Sequence, residues 1–155
     1  MDQTGETSIS KVLSDAKQRA IVNNLPYAGV LTPGEAYQLL QNHPNAKLVD
    51  VRSRAELELV GRVPTATSIE WAFYPGMLAN PEFAAQLDAQ LDKEAVVIFM
   101  CRTGGRSHNA AVVAQQLGFK HAYNMIEGFE GESNAAKQRT LINGWKHAGL
   151  PWTNA

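Results

Sequence analysis

The chain has 155 residues, 45% apolar and 19% charged, which is the composition of a folded domain and excludes an intrinsically disordered chain. Fourteen basic and fifteen acidic residues leave a net charge of −1, so no overall positive field would attract nucleic acid or an anionic membrane. The single cysteine, Cys101, excludes an intramolecular disulfide and an all-cysteine zinc site. We therefore expect one domain, without a metal site and with neither nucleic acid nor membrane as a partner.

The N-terminal segment has the pattern of neither a secretion signal nor a membrane span. It lacks a basic region followed by an apolar run, and no stretch of the chain reaches the roughly 18 consecutive apolar residues of a spanning helix. A lone free thiol is typical of a reducing compartment. We expect a cytoplasmic protein in which residues 1–30 form a partly helical extension and residues 31–153 form the folded domain.

Two helices are predicted near the N-terminus. Apolar residues at helical spacing predict the first from about residue 11 to residue 23, ending before Pro26. The second has a clear start, because Thr32 is a favourable N-cap, Pro33 suits the first helical position and Glu35 completes a capping box.

The rest of the chain alternates between strand and helix patterns. Strands are predicted at residues 46–51, 67–70, 96–100 and 121–125. Helices are predicted after Asn80, from Ser107 to Leu117, and at residues 135–148. The unbroken apolar run at 96–100 is typical of a central parallel strand that is buried on both faces. The alternation predicts an α/β fold with a mainly parallel sheet.

The loop that follows the 96–100 strand contains the residues suited to chemistry. Cys101 lies at the carboxyl end of this strand, where open α/β sheets bind ligands. Gly104 and Gly105 favour a turn whose backbone N–H groups point into one concavity, and a helix start adds partial positive charge. Arg102 and Arg106 add two cations. The loop therefore predicts a nucleophilic Cys101 thiolate in an anion-binding cradle, although a buried structural cysteine is the simpler alternative.

These residues match a known pattern. The loop CRTGGRS after an apolar strand resembles the active-site loop of rhodanese domains. Residues 48–56 (LVDVRSRAE) and 61–66 (GRVPTA) are similar to earlier motifs of that family, although Arg62 and Thr65 replace its usual histidine and glycine. Residues 126–131 and 144–151 are similar to its closing segments. The resemblance covers about residues 31–152 and implies a five-stranded, mainly parallel sheet flanked by helices.

The resemblance also implies a sulfurtransferase without metal or organic cofactor. Cys101 would take a sulfane sulfur from a small anion such as thiosulfate, carry it as a persulfide, and pass it to cyanide or a thiol. The residues predicted to bind the substrate are Arg102, Thr103, Gly104, Gly105 and Arg106, and those predicted to support the site are Asp50, Arg52 and Ser107. Among them, Arg102 suits the donor's sulfonate, whereas Arg106 is expected mainly to brace the loop.

Two other functions share these features. A sulfur-delivery or regulatory module would use the same cysteine with a protein as its sulfur acceptor. A cysteine phosphatase or arsenate reductase would also combine cysteine, anion nest and arginine. The loops of those enzymes generally place five residues between cysteine and arginine, whereas four separate Cys101 from Arg106. The shorter loop favours a sulfur atom over a tetrahedral oxyanion.

Overall fold

The computed structural model describes the backbone of residues 3–154 and the side chains of residues 8–154. The helices are α1 (Gln3–Val22), α2 (Pro33–Asn42), α3 (Arg54–Val60), α4 (Phe83–Gln90) and α5 (Gly105–Gln116). The strands are β1 (Gly29–Leu31), β2 (Ala46–Asp50), β3 (Thr67–Ser68), β4 (Ala72–Phe73), β5 (Leu78–Ala79), β6 (Val96–Met100) and β7 (His121–Met125). No described helix is long and apolar enough to cross a membrane.

Five strands form one sheet in the order β1-β7-β6-β2-β3, and all its pairings are parallel. The predicted α/β class with a five-stranded parallel sheet and an N-terminal helix is therefore confirmed. Strand β6 lies between β7 and β2, and its last residue, Met100, is paired with Asp50 at the end of β2. Both strands consequently deliver the residues that follow them to the same edge of the sheet.

The central strand β6 is buried on both faces, as its apolar run predicts. Because side chains alternate along a strand, Val97, Phe99 and Cys101 contact the apolar cluster beneath α4 and α5. Ile98 and Met100 contact the other cluster, beneath α1 and α2. The sheet is therefore held between two helical layers, and Cys101 lies on the α4–α5 side.

Helix α1 begins earlier than predicted and packs on the sheet. Ala16 is fully buried, and Arg19 forms a two-pronged ion pair with Glu35 of α2, with N–O distances of 2.6 and 2.9 Å. Arg19 also donates to the carbonyl of Val30 in β1. Strand β1 was not predicted, because three residues are too few to show periodicity, and it lies across the boundary expected between extension and domain.

The prediction of a helix at residues 135–148 is wrong. This segment consists of turns, and Thr140 and Gly144 adopt positive φ angles of 76° and 104°, which interrupt a right-handed helix. The apolar residues that suggested a helical face do not share one, since Trp145 is 1% exposed and Leu141 is 59% exposed. Trp145 packs inward from a loop.

A second unpredicted element is the antiparallel hairpin of β4 and β5. Its four large apolar side chains are exposed, at 40% for Phe73, 64% for Tyr74, 42% for Met77 and 68% for Leu78. Single exposed apolar residues are common, but four on one short hairpin form a patch.

Candidate functional site

Cys101 lies directly after β6, where the chain turns toward α5. The residue is 1% exposed, and its Sγ atom accepts a hydrogen bond from the backbone N–H of Gly104 at 3.0 Å. The hydroxyl of Ser107, in the first turn of α5, lies 3.4 Å from the same sulfur. The thiol is therefore seated beneath the start of α5.

The start of α5 has unused hydrogen-bond donors. Its N-cap is Gly104, which provides no side-chain cap. The N–H groups of Arg102, Thr103, Gly105 and Arg106 have no acceptor among the described residues. Donors of this kind at a helix start, with the partial positive charge of the helix, bind anions. The loop thus combines a sulfur nucleophile with available N–H groups.

Of the two loop glycines, Gly104 and Gly105, only the first has a backbone conformation that requires glycine. Gly104 has φ 110°, in the left-handed region that other residues avoid. Gly105 begins α5, has no positive φ, and a Cβ atom built there would meet nothing within 4 Å. The loop conformation therefore requires glycine at position 104 but not at position 105.

Arg106 is engaged by Glu56 of α3. Its Nη1 and Nη2 atoms each donate to a different carboxylate oxygen of Glu56 at 2.8 Å. Glu56 also closes the capping box of α3, accepting from the Ser53 N–H at 3.0 Å. Burial raises the pKa of Glu56, but the hydrogen bonds from Arg106 and Ser53 and the charge of Arg106 outweigh it and lower this pKa to about 2. Glu56 thus offsets much of the Arg106 charge and reduces the support that Arg106 was expected to give to the positive field of the loop, which leaves one loop cation without an ion-pair partner among the described residues.

That cation is Arg102. Its backbone carbonyl is fixed by the N–H groups of Glu130 and Gly131, at 3.0 and 3.3 Å. Its side chain is exposed and makes no ion pair or hydrogen bond within the described part of the chain. The neighbouring Thr103 is also exposed. Arg102 therefore has a fixed backbone and a guanidinium available to a ligand.

Asp50 and Arg52 form a buried ion pair at the end of β2. Arg52 donates from Nε and Nη2 to both carboxylate oxygens of Asp50 and from Nη2 to the carbonyl of Gly61 at 2.8 Å. Both residues are 0% exposed. The guanidinium carbon lies 4.1 Å from the ring centroid of Phe129, whose N–H donates to the Cys101 carbonyl at 2.8 Å. Asp50 and Arg52 thus reach the cysteine loop through Phe129.

Gly128 brings the closing segment 126–131 against the loop. It has φ 70°, and a Cβ atom there would overlap the Arg102 carbonyl. No larger residue fits without displacing the backbone around Cys101. The glycine in the motif at residues 126–131 was the sequence signal for this contact.

Asn124, at the carboxyl end of β7, was not predicted. Its Nδ2 donates to the Gly104 carbonyl at 3.3 Å, and its Oδ1 accepts from the Ser107 hydroxyl at 2.6 Å. Because a carbonyl only accepts, this arrangement fixes the amide orientation and assigns the single Ser107 proton to Asn124. The Cys101 thiol can then donate to Ser107. Asn124 therefore ties both Gly104 and Ser107 to β7.

The chain is similar to other proteins in sequence and in fold. A family model described as the Rhodanese-like domain matches residues 32–135. The protein RC0915 of Rickettsia conorii is 36% identical over 120 residues, which are 76% of this chain and 91% of that protein. Thiosulfate sulfurtransferase GlpE of Haemophilus influenzae is 29% identical over 101 residues, covering 65% of this chain and 84% of its own.

A solved structure shows similarity over most of the chain. The crystal structure of Rv0390 from M. tuberculosis has a TM-score of 0.77 and 39% sequence identity, and the match covers 83% of this chain and 99% of that chain. The family model, at residues 32–135, spans strands β2, β3, β6 and β7 and the whole cysteine loop. The chain belongs to the rhodanese-like domain family, whose members similar to it include a sulfurtransferase.

Proposed function

We propose that this protein transfers sulfane sulfur through a persulfide on Cys101. The observation that carries the proposal is the position of the Cys101 sulfur beneath the start of α5. The sulfur accepts from the Gly104 N–H, and it adjoins other N–H groups that have no acceptor among the described residues. A persulfide ends in an anionic sulfur atom, which such donors stabilise. A purely structural cysteine would have no use for them.

The reaction has two steps. The Cys101 thiol first loses its proton to solvent, and the thiolate attacks the outer sulfur of a donor such as thiosulfate. A Cys101–sulfur bond forms, the donor's sulfur–sulfur bond breaks, and sulfite leaves with the electron pair. An acceptor, cyanide or a thiolate, then attacks the outer sulfur and the Cys101 thiolate leaves. Thiosulfate is the donor named for the similar Haemophilus protein.

The neighbouring residues divide the remaining tasks. The Gly104 N–H already bonds the attacking sulfur. The N–H groups of residues 102, 103, 105 and 106, which have no acceptor among the described residues, would hold the outer one. Arg102 would pair with the sulfonate of the donor, because its guanidinium has no partner in the described protein. Arg106 acts through Glu56 as a brace between α3 and α5.

The phosphatase alternative has less support. Both terminal nitrogens of Arg106 bond Glu56, so this arginine does not present the two-pronged face that a phosphoryl group would use. Four residues between Cys101 and Arg106 also leave a short loop. We therefore expect no meaningful hydrolysis of an aryl phosphate.

Intact-mass measurement tests the proposal. Protein treated with thiosulfate should gain the mass of one sulfur atom and lose it on addition of cyanide. A Cys101→Ser variant should gain nothing, and its circular dichroism spectrum should match that of the wild type. Sulfur transfer at the wild-type rate by this variant, or aryl phosphate hydrolysis that depends on Cys101, would contradict the proposal.

A further inference from the structure

The cysteine loop borders a cavity of about 340 Å³ lined by Glu56, Tyr74, Met77, Arg102 and Arg106. Glu56 and Arg106 bond each other and so offer a ligand little net charge. The groups left to contact a ligand are the free guanidinium of Arg102 and the side chains of Tyr74 and Met77. One wall of the cavity is thus cationic and another is largely apolar.

The apolar wall is the tip of the β4–β5 hairpin. Tyr74 is 64% exposed and Met77 is 42% exposed, so both retain surface that a ligand could cover. Thiosulfate is a small dianion, and it has no apolar part to place there. A ligand with an apolar group beside its anionic group would remove this surface from water, which stabilises the complex.

We propose that this cavity selects an organic sulfur donor, in which an apolar group adjoins the anionic sulfur group, and that Tyr74 and Met77 determine this specificity. The inference rests on the proposed function and names its donor class. With an organic thiosulfonate as the donor, the Cys101 thiolate bonds the outer sulfur and the sulfur–sulfur bond breaks. The organic sulfinate leaves with the electron pair, and Arg102 pairs with its oxygens.

The test compares two donors with the same reacting group, benzenethiosulfonate and methanethiosulfonate. The measured quantity is the ratio of their kcat/KM values, in which effects on the shared chemistry cancel. We expect Tyr74→Ser and Met77→Ser to lower the phenyl-to-methyl ratio about tenfold, which is typical of a lost apolar contact. Leu78→Ser is the matched control, because Leu78 is an exposed residue of the same hairpin that does not line the cavity. Equal ratios in all four proteins would overturn the inference.

A binding measurement separates this inference from the proposed function. Calorimetry on Cys101→Ser compares benzenesulfonate with methanesulfonate, and neither can transfer sulfur. Tighter binding of benzenesulfonate that Tyr74→Ser abolishes and Leu78→Ser preserves would support the hairpin's role. Equal affinities for the two sulfonates would overturn it, whatever the mass measurement shows. Failure of every donor to load wild-type Cys101 would instead refute the proposed function.

Discussion

Two neighbouring strands, β2 and β6, end side by side in similar ways. Each is followed by a short turn with an arginine two residues after the strand, Arg52 and Arg102, and then by a helix. At the end of β2 most polar groups have partners within the protein, and the exception is the buried Nη1 of Arg52, which has no hydrogen-bond partner among the described residues. Arg52 is buried on Asp50, and Ser53 and Glu56 cap α3 with their side chains.

At the end of β6, by contrast, several polar groups have no partner among the described residues. Arg102 is exposed without a partner in the described chain, and Gly104 gives α5 no side-chain cap. The two regions share the order of strand, turn and helix. The difference lies in whether the charges and N–H groups have partners within the protein. The closed end stabilises the fold, and the open end is available to a ligand.

The largest expected difference in stability is between two single variants, in which one of these arginines is replaced by alanine. Arg52→Ala leaves the Asp50 carboxylate buried without its partner, so we expect a loss of about 3–5 kcal/mol in the free energy of unfolding. Arg102→Ala should change that free energy by less than about 0.5 kcal/mol while raising the KM for thiosulfate about tenfold. Urea titration and steady-state kinetics measure both. Similar losses of stability in the two variants would remove the contrast.

Acid should weaken the ion pair between Glu56 and Arg106, which joins α3 to α5. The Glu56 pKa of about 2 lies below its unfolded value of roughly 4.3, so the ion pair with Arg106 stabilises the fold above about pH 5. This contribution, on the order of 2 kcal/mol, is lost as the pH falls toward 2. Unfolding measured between pH 6 and about pH 3 should show the decline in the wild type and much less of it in Glu56→Gln.

Glu58→Gln provides the control for that titration. Glu58 lies on the same helix and pairs with Arg54, but both side chains are mostly exposed. Exposed pairs contribute little, so this variant should keep the wild-type acid profile. A flattened profile in Glu58→Gln, with a normal one in Glu56→Gln, would contradict the assignment.

The smallest effect separates the two loop glycines. Gly104→Ala places a side chain at φ 110°, and we expect it to lower the free energy of unfolding by about 1–2 kcal/mol. Gly105→Ala lies at a helical position with open space, so its change should stay within about 0.5 kcal/mol. Thermal or urea unfolding of both variants checks the difference. Equal losses would mean that the Gly104 conformation is not required.

Local patterns in the sequence predicted the parts of the fold that depend on neighbours along the chain. The apolar run at 96–100 predicted β6, and Thr32 with Glu35 predicted the start of α2, because strand burial and helix capping are visible within a few residues. The same reasoning failed at 135–148. Apolar spacing there does not reveal the left-handed backbone at Thr140 and Gly144.

Long-range partners explain what sequence reasoning missed in the candidate site. Glu56 and Arg106 are fifty positions apart, so nothing local shows that the charge of Arg106 is neutralised. Asn124 reaches Ser107 and the Gly104 carbonyl only because β7 lies beside β6. The sequence located the nucleophile and the anion-binding loop as hypotheses. It could not show which of the loop's charges and donors the protein itself uses.

The most direct test of the open loop is an amide NMR comparison of the free and sulfur-loaded protein. Intact mass would first establish that Cys101 carries one added sulfur atom. We predict that the largest backbone ¹H–¹⁵N shift changes fall on residues 102–106, because the N–H groups of residues 102, 103, 105 and 106 would bond the outer sulfur. The capped residues Ser53 to Glu56 at the start of α3 should change little. A loaded protein whose loop amides do not shift more than those of α3 would contradict the account.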